Sequence, residues 1–369
     1  MNIEEPLRQD PEPPRPAQRA RLITRPASGR VVTALLVASS AVLTVVGCQR
    51  PAPIPESVDA RSDPRLGGRL YSATSPFNQA IPTNAQVDPR SADYVKLLNR
   101  SRQEKGFVVA LREWSVPAYF ARQGTPRHDV RITGFDEVRR IMRGVPIPDN
   151  ARPDPAEDAH LSVIDPVTRC GYDLYGAKKT VLGWTAKWAN VTSTADSGIY
   201  PSGLSTRATG FAPLAGMIWP AELRAGRIDH ALVFAYPYTK SGGPVSPATS
   251  SDGRTTLAAA LPQGARVQLD PTLDLNTLGL SAYERTIAEA LQRYGMYLGD
   301  TGGALALYAV NPQSFDTNPY AGLLPDKPFI PLDKIPVHRF RVLKTGKQMA
   351  QTRRSIVPST CAQIDVIAK

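Results

Sequence analysis

The chain has 369 residues, 35 of them proline, and its 44 lysines and arginines against 33 aspartates and glutamates give a net charge of +11. Prolines at that frequency exclude long uninterrupted helices and suit short strands joined by turns. There is no dense basic cluster, no G-x-S-x-G, H-E-x-x-H or G-x-x-x-x-G-K-[ST] motif, and no G-x-G-x-x-G opening a helix, so nucleic-acid, serine-hydrolase, zinc-protease and nucleotide chemistries are set aside.

In chain order, the first element is an apolar run from Val31 to Cys48, preceded by six arginines and no lysine. A basic segment, an apolar segment, small residues and a cysteine, in that order, predict a secretory signal peptide over 1–47. Thr33, Ser39, Ser40 and Thr44 interrupt the run, which falls short of the roughly 20 apolar residues of a spanning helix. Val45-Val46-Gly47-Cys48 resembles the bacterial lipobox. That resemblance implies that Cys48 becomes the acylated first residue of the mature protein, with membrane lipid as its partner. The alternative is an uncleaved anchor helix. Both place the rest at the extracytoplasmic face of the membrane or in the cell envelope, away from nucleic acid.

Removal of the leader leaves 38 basic and 29 acidic side chains, a net charge of +9 that favours anionic surfaces. With Cys48 committed to lipid, Cys170 and Cys361 are left to pair in an oxidising exterior. Two cysteines without a nearby histidine pattern do not make a zinc site, and no cofactor is expected. Residues 48–68 comprise the lipidated cysteine and a Pro-, Asp- and Gly-rich tether. Residues 69–369 are expected to form a single β-rich domain, without internal repeats.

Within that domain Ser91 to Arg102 reads as a helix, with Val95, Leu97 and Leu98 inward. Phe107 to Trp114, Val116 to Phe120, His160 to Asp165, Cys170 to Tyr175, Thr180 to Trp188, His230 to Tyr236 and Arg266 to Leu269 read as strands bounded by Pro, Gly or Asp. Ser281-Ala282-Tyr283-Glu284 is a capping box for a second helix, with Gly295 at its end and Tyr283, Ile287, Ala290, Leu291 and Tyr294 on one stripe. Met296 to Leu298, a turn at Gly299 to Gly303, and Ala304 to Val310 read as a β-hairpin. The expected fold is mainly β, a β-sandwich or jelly-roll-like domain with a few peripheral helices.

The segments SPFNQAIP (75–82), DAHLSVID (158–165), GRIDHALVFAYP (226–237), GARVQLD (264–270) and ALQRYGMYLGDTGG (290–303) resemble a largely uncharacterised family of exported bacterial proteins. The HALxF and ALxxYGM segments carry most of the likeness. Members sometimes occur beside carbohydrate-binding modules, which implies glycan-related work and assigns no catalytic residue.

Among the four histidines, His160 and His230 each open a strand. Strand alternation puts Asp158, His160 and Ser162 on one side, and His230, Leu232, Phe234 and Tyr236 on one side. If both faces meet in one groove, imidazoles for proton transfer lie beside rings for sugar stacking. Glu157, Asp158, Asp165, Asp196, Asp229 and Asp300 are nearby carboxylates. A glycosidase needs two of these in register across the scissile bond, whereas a lyase needs a base and a cation, for which His160, His230, Tyr236 and Arg227 are suited. The candidate catalytic set is therefore His160, His230, Asp158, Asp165 and Asp229, with Ser162, Phe234, Tyr236 and Arg227 binding substrate.

Other residues carry weaker readings. Asp229 also suits a turn, and Asp300-Thr301-Gly302-Gly303 reads as turn chemistry ahead of a carboxylate aimed into a groove. Asp270, Asp274 and Asn276 do not match a calcium loop. Trp114, Trp184, Trp188 and Trp219 read as core ahead of glycan platforms, with Trp184 and Trp188 on one strand face. The function expected is that of a surface-anchored lipoprotein acting on glycans, as a polysaccharide hydrolase or lyase. The alternative is a non-catalytic module that binds glycan or another envelope component.

Overall fold

The computed structural model describes residues 69–134, 139–351, 361 and 364–367; the leader, Cys48 and the tether lie outside them. Its strands are β1 (Phe107–Ala110), β2 (Ala118–Phe120), β3 (Arg127–Ile132), β4 (Arg139–Pro146), β5 (Leu161–Asp165), β6 (Cys170–Tyr175), β7 (Lys178–Thr180) and β8 (Gly183–Ala186). They continue as β9 (Trp188–Ser193), β10 (Leu232–Tyr236), β11 (Arg266–Leu269), β12 (Met296–Thr301), β13 (Leu305–Tyr308), β14 (Phe329–Pro331), β15 (Phe340–Val342) and β16 (Ile364–Ile367). Three helices accompany them among the described residues: α1 (Ser91–Lys105), α2 (Pro220–Ala225) and α3 (Ala282–Arg293). The fold is mainly β with a few helices, as the sequence predicts.

The strands form a seven-stranded sheet in the order β14-β1-β13-β10-β12-β11-β15, a five-stranded sheet β16-β4-β3-β8-β7 and a four-stranded sheet β2-β5-β6-β9. All three are mixed, because β1–β13, β10–β12, β3–β8 and β2–β5 run parallel. Parallel pairs distinguish the architecture from a jelly roll, whose sheets are antiparallel.

The central strand β10 explains how two cores are divided. Leu232, Phe234 and Tyr236 join the apolar cluster that includes residues of α1 and α3, while Ala231 and Val233 join a second cluster with Phe77, Phe211 and Tyr297. This is the period-2 alternation of a strand buried on both faces. Helix α1 buries Tyr94, Val95, Leu97, Leu98 and Ser101 and ends at Gly106, whose φ of 85° is open to glycine without a Cβ penalty. Helix α3 starts as its sequence indicates, with the Ser281 N–H donating to Glu284 Oε2 at 2.9 Å.

Two local expectations fail. β12 and β13 do not pair as a hairpin, because β10 lies between them, parallel to β12 and antiparallel to β13. The Gly302 N–H instead donates to the Tyr236 carbonyl at the end of β10. Thr180 to Trp188 breaks at Val181-Leu182 and at Lys187 into β7, β8 and β9, so Trp184 and Trp188 belong to different sheets. Cys170 and Cys361 form a disulfide with a Cα separation of 5.5 Å. Among the described residues no helix is long and apolar enough to cross a membrane.

Candidate functional site

A cavity of about 710 Å³ is lined by Trp114, Asp158 with His160, Tyr175, Trp188, the loop from Ser202 to Ala208, the loop from Ser250 to Asp252, the end of β12, and Gln351. Its most consequential side chain is placed by an irregularity. Along β10 and β12 the register runs Val233 with Tyr297 and Phe234 with Leu298, then skips Gly299, so that Ala235 stands opposite Asp300. Strict alternation would send Asp300 to the side of Met296 and Leu298, which are core residues. The extra residue reverses the parity and turns the carboxylate toward the cavity. Position 299 requires glycine here, since a Cβ would collide with Val233 Cγ1.

The bulge is held from the cavity wall. Thr209 donates from Oγ1 to the Gly299 carbonyl at 2.8 Å, two residues beyond Arg207. Arg207 is buried; its Nη1 donates to the Ala215 carbonyl and its guanidinium stands 5.0 Å from the Tyr308 ring centroid. Asp252 completes this side, its Oδ1 accepting from Gln263 Nε2 at 2.6 Å and from Thr301 Oγ1 at 2.7 Å.

Asp158 and His160 flank Ala159, a non-glycine residue with φ of 42°. Such a conformation costs of order 1–3 kcal/mol and persists where the surroundings fix it. Here the Gly176 and Ala177 N–H groups donate to the Asp158 and Ala159 carbonyls. The His160 and Tyr175 rings meet edge to face at 5.3 Å. At the rim, Trp114 has φ of 57° and is 46% exposed. Buried Asp154 secures that turn by accepting from the N–H groups of Trp114 and Ser115, each at 3.1 Å.

The electrostatics sort the acids by role. Burial, followed by the nearby Asp252 carboxylate, pushes Asp300 up to about 7, with Arg207 opposing the shift and Asp158 adding to it. Asp158 is also raised by burial, against a hydrogen bond from Tyr175 that lowers it. His160 moves the other way, down to about 3, through burial and the Arg207 charge. A proton donor near neutral pH therefore exists in the cavity, and it is an aspartic acid rather than an imidazole.

Three polar atoms in the lining are buried without a hydrogen-bond partner: Ser202 Oγ, Thr206 Oγ1 and His160 Nδ1. Groups of this kind cost about 1–3 kcal/mol each when unsatisfied.

Of the candidate catalytic and substrate-binding set read from the sequence, Asp158 and His160 line this cavity and the others do not. Ser162 is fully buried and donates to Asp173 Oδ1 at 2.6 Å. Asp165 sits at the far end of β5, where its Oδ1 accepts from the Val167 and Thr168 N–H groups in the turn. Phe234 and Tyr236 share a face as expected, but it is the core face toward α1 and α3, and both are wholly buried. His230 lines a separate cavity of about 20 Å³, enough for about one water. There His230 Nε2 lies 2.9 Å from Glu222 Oε1, and Asp229 Oδ2 lies 2.8 Å from Arg227 Nε. Burial lowers the His230 pKa but the Glu222 carboxylate outweighs it, and the net direction is upward. The two imidazoles thus do not share a groove, and the 227–230 cluster stands at the opposite end of β10 from Asp300.

Trp188, at 9% exposure, lines the larger cavity, whereas Trp184 and Trp219 are core. Asp270 is engaged by Arg339 and Thr272, and Asp274 caps the 3-10 turn Leu275–Leu278. No group of three His, Cys, Asp or Glu side chains among the described residues is arranged to hold a metal ion. Asp252, Arg207, Ser202 and Thr206 escaped the sequence reading. The clustering of hydroxyls and an arginine in Ser202-Gly203-Leu204-Ser205-Thr206-Arg207, a segment with no strand or helix periodicity, was the available signal. Compared with protein-family models, curated proteins and solved structures, the chain matches none.

Proposed function

We propose that this protein is a surface-anchored lipoprotein that hydrolyses a glycan, with Asp300 as the general acid. The observation that carries the reading is one cavity lined by a proton-holding Asp300, by Asp252 and Asp158, whose charges act on it, and by the hydroxyl residues Ser202, Ser205, Thr206, Ser250 and Ser251. Glycosidic hydrolysis needs a carboxylic acid that protonates the leaving oxygen and a second carboxylate on the other side of the scissile bond. Asp300 gives its proton to the glycosidic oxygen as the C–O bond breaks. Asp252 or Asp158 assists the attack at the anomeric carbon, and water ends as the new hydroxyls of the two products.

Trp114 and Trp188 offer stacking surfaces for sugar rings, and Trp114 stands at the open rim. A lyase reading fares worse. It needs a base, and His160 is held neutral with a basicity too low for efficient abstraction near pH 7.

The signal sequence and Cys48 acylation supply the location, at the outer face of the membrane. The test incubates the detergent-extracted full chain with a panel of neutral and acidic polysaccharides, following reducing ends and the absorbance of unsaturated products together. Reducing ends without unsaturation, lost by 10²-fold or more in Asp300→Asn, are expected. Unsaturated products would replace the hydrolase with a lyase. Binding without any cleavage would leave a glycan-binding module.

A further inference from the structure

We infer that the sugar ring seated against Asp300 is uncharged, and that the cavity rejects uronate and other anionic rings by charge. This rests on the glycan reading and adds the substrate class to it. Three carboxylates, those of Asp158, Asp252 and Asp300, face a cavity whose lining includes one guanidinium, Arg207. That guanidinium is committed within the protein to the Ala215 carbonyl and the Tyr308 ring. It is placed to offset the clustered acids rather than to receive a substrate carboxylate in the two-pronged manner arginine uses for that purpose.

Apart from these acids and Arg207, the rest of the lining carries no charge. Thr206 retains 9% exposure, and its Oγ1, like Ser202 Oγ, is buried without a partner. The hydroxyl side chains of Ser205, Ser250, Ser251 and Thr301 also line the cavity and carry no charge, so they match the hydroxyl or acetamido groups of a neutral sugar. An anionic ring would bring a further negative charge to the Asp252 and Asp158 side, in a setting where burial weakens screening. A ring bearing a free ammonium fails for the opposite reason. It favours the ionised form of Asp300 and thereby removes the proton that the acid must deliver. Only an uncharged ring leaves that proton in place. The basic exterior and the acidic cavity then have separate tasks, the first holding the molecule near anionic envelope polymers and the second selecting a neutral residue.

The experiment titrates tryptophan fluorescence of the full chain in detergent, at pH 6, with three oligosaccharides of equal length: N-acetylchitooligosaccharide, its deacetylated ammonium form and oligogalacturonate. The neutral ligand should bind at least tenfold more tightly than the uronate. Asp252→Asn should narrow that gap by about tenfold, the size expected for removing one nearby like charge. Ser251→Ala, which removes a hydroxyl from the lining, should weaken the neutral ligand about fivefold, and melting curves of both variants close to the parent's guard against a folding defect. Uronate or ammonium binding equal to or tighter than the neutral ligand would overturn the inference and leave the glycan reading standing. An unchanged gap in a folded Asp252→Asn would do the same. No binding by any of the three would remove the glycan reading itself, and the inference with it.

Discussion

Ala235 on β10 stands opposite Asp300 on β12 because the parallel pair slips by one residue at Gly299. The slip converts a position that alternation assigns to the core into one that faces a cavity, and burial there keeps the carboxyl protonated to about pH 7. Backbone irregularity and side-chain acidity are thus one arrangement, and the predictions begin from it.

Asp300 should titrate near pH 7 when followed by its carboxyl carbon chemical shift, and replacing Asp252 with Asn should lower the midpoint. A midpoint near the ordinary 3.9 in the parent would refute the assignment of the proton. The same shift has a signed effect on stability. Unfolded, the group loses its proton near 3.8; folded, near 7. Its contribution is therefore complete below about pH 4 and is lost as pH rises through 7. Asp300→Asn should reduce the loss of stability between pH 4.5 and pH 8 by about 1–3 kcal/mol, measured by urea unfolding of variant and parent side by side.

Gly299→Ala should destabilise the fold by about 1–3 kcal/mol, because a methyl group there meets Val233 Cγ1 in a well-packed layer. Activity should fall further than stability, since any relaxation of the bulge turns Asp300 away. A variant that melts like the parent and keeps its Asp300 midpoint would show that the glycine is dispensable.

The Cys170–Cys361 bond closes a loop of 191 residues and fastens the segment that leads into β16. Replacing both cysteines with serine should cost about 2–5 kcal/mol in stability, read from the urea midpoint. Equal midpoints for the parent under oxidising and reducing conditions would argue that the bond contributes nothing.

Cys48→Ala should abolish incorporation of a fatty-acid analogue and leave the precursor unprocessed, because the thiol is the acylated group. Equal labelling of variant and parent would remove the lipoprotein from the proposed function.

Elements specified by neighbours in sequence were legible. The α3 start follows from Ser281 and Glu284, and the pairing of Cys170 with Cys361 follows from counting thiols. Asp158 and His160 do share the cavity, but not by alternation: both precede β5, Ala159 between them has φ of 42°, and Ser162, the third residue of the expected face, does not line the cavity. Asp300 was visible as Asp300-Thr301-Gly302-Gly303 and was read as a turn, because the sequence after Gly299 resembles a hairpin and nothing local reveals that β10 will insert between β12 and β13. For the same reason His230 looked like the partner of His160: alternation fixes which residues share a face, but not which of two cores that face meets. Arg207, Ser202 and Thr206 sit in an irregular loop, where periodicity carries no information.

The parallel pairing of β1 with β13, which sets Phe107 beside Leu305, has a practical meaning for anyone who would cut this chain. Its largest sheet draws strands from residue 107 to residue 342, while Asp158, Arg207, Asp252 and Asp300 lie between those limits. A fragment that omits the N-terminal flank takes β1 from between β14 and β13, one that omits the C-terminal flank takes both edge strands, β14 and β15, and one that omits the middle takes away the loop from Ser202 to Ala208. The smallest unit able to display the cavity is nearly the whole domain, and mutagenesis, rather than truncation, is the instrument suited to dissecting it.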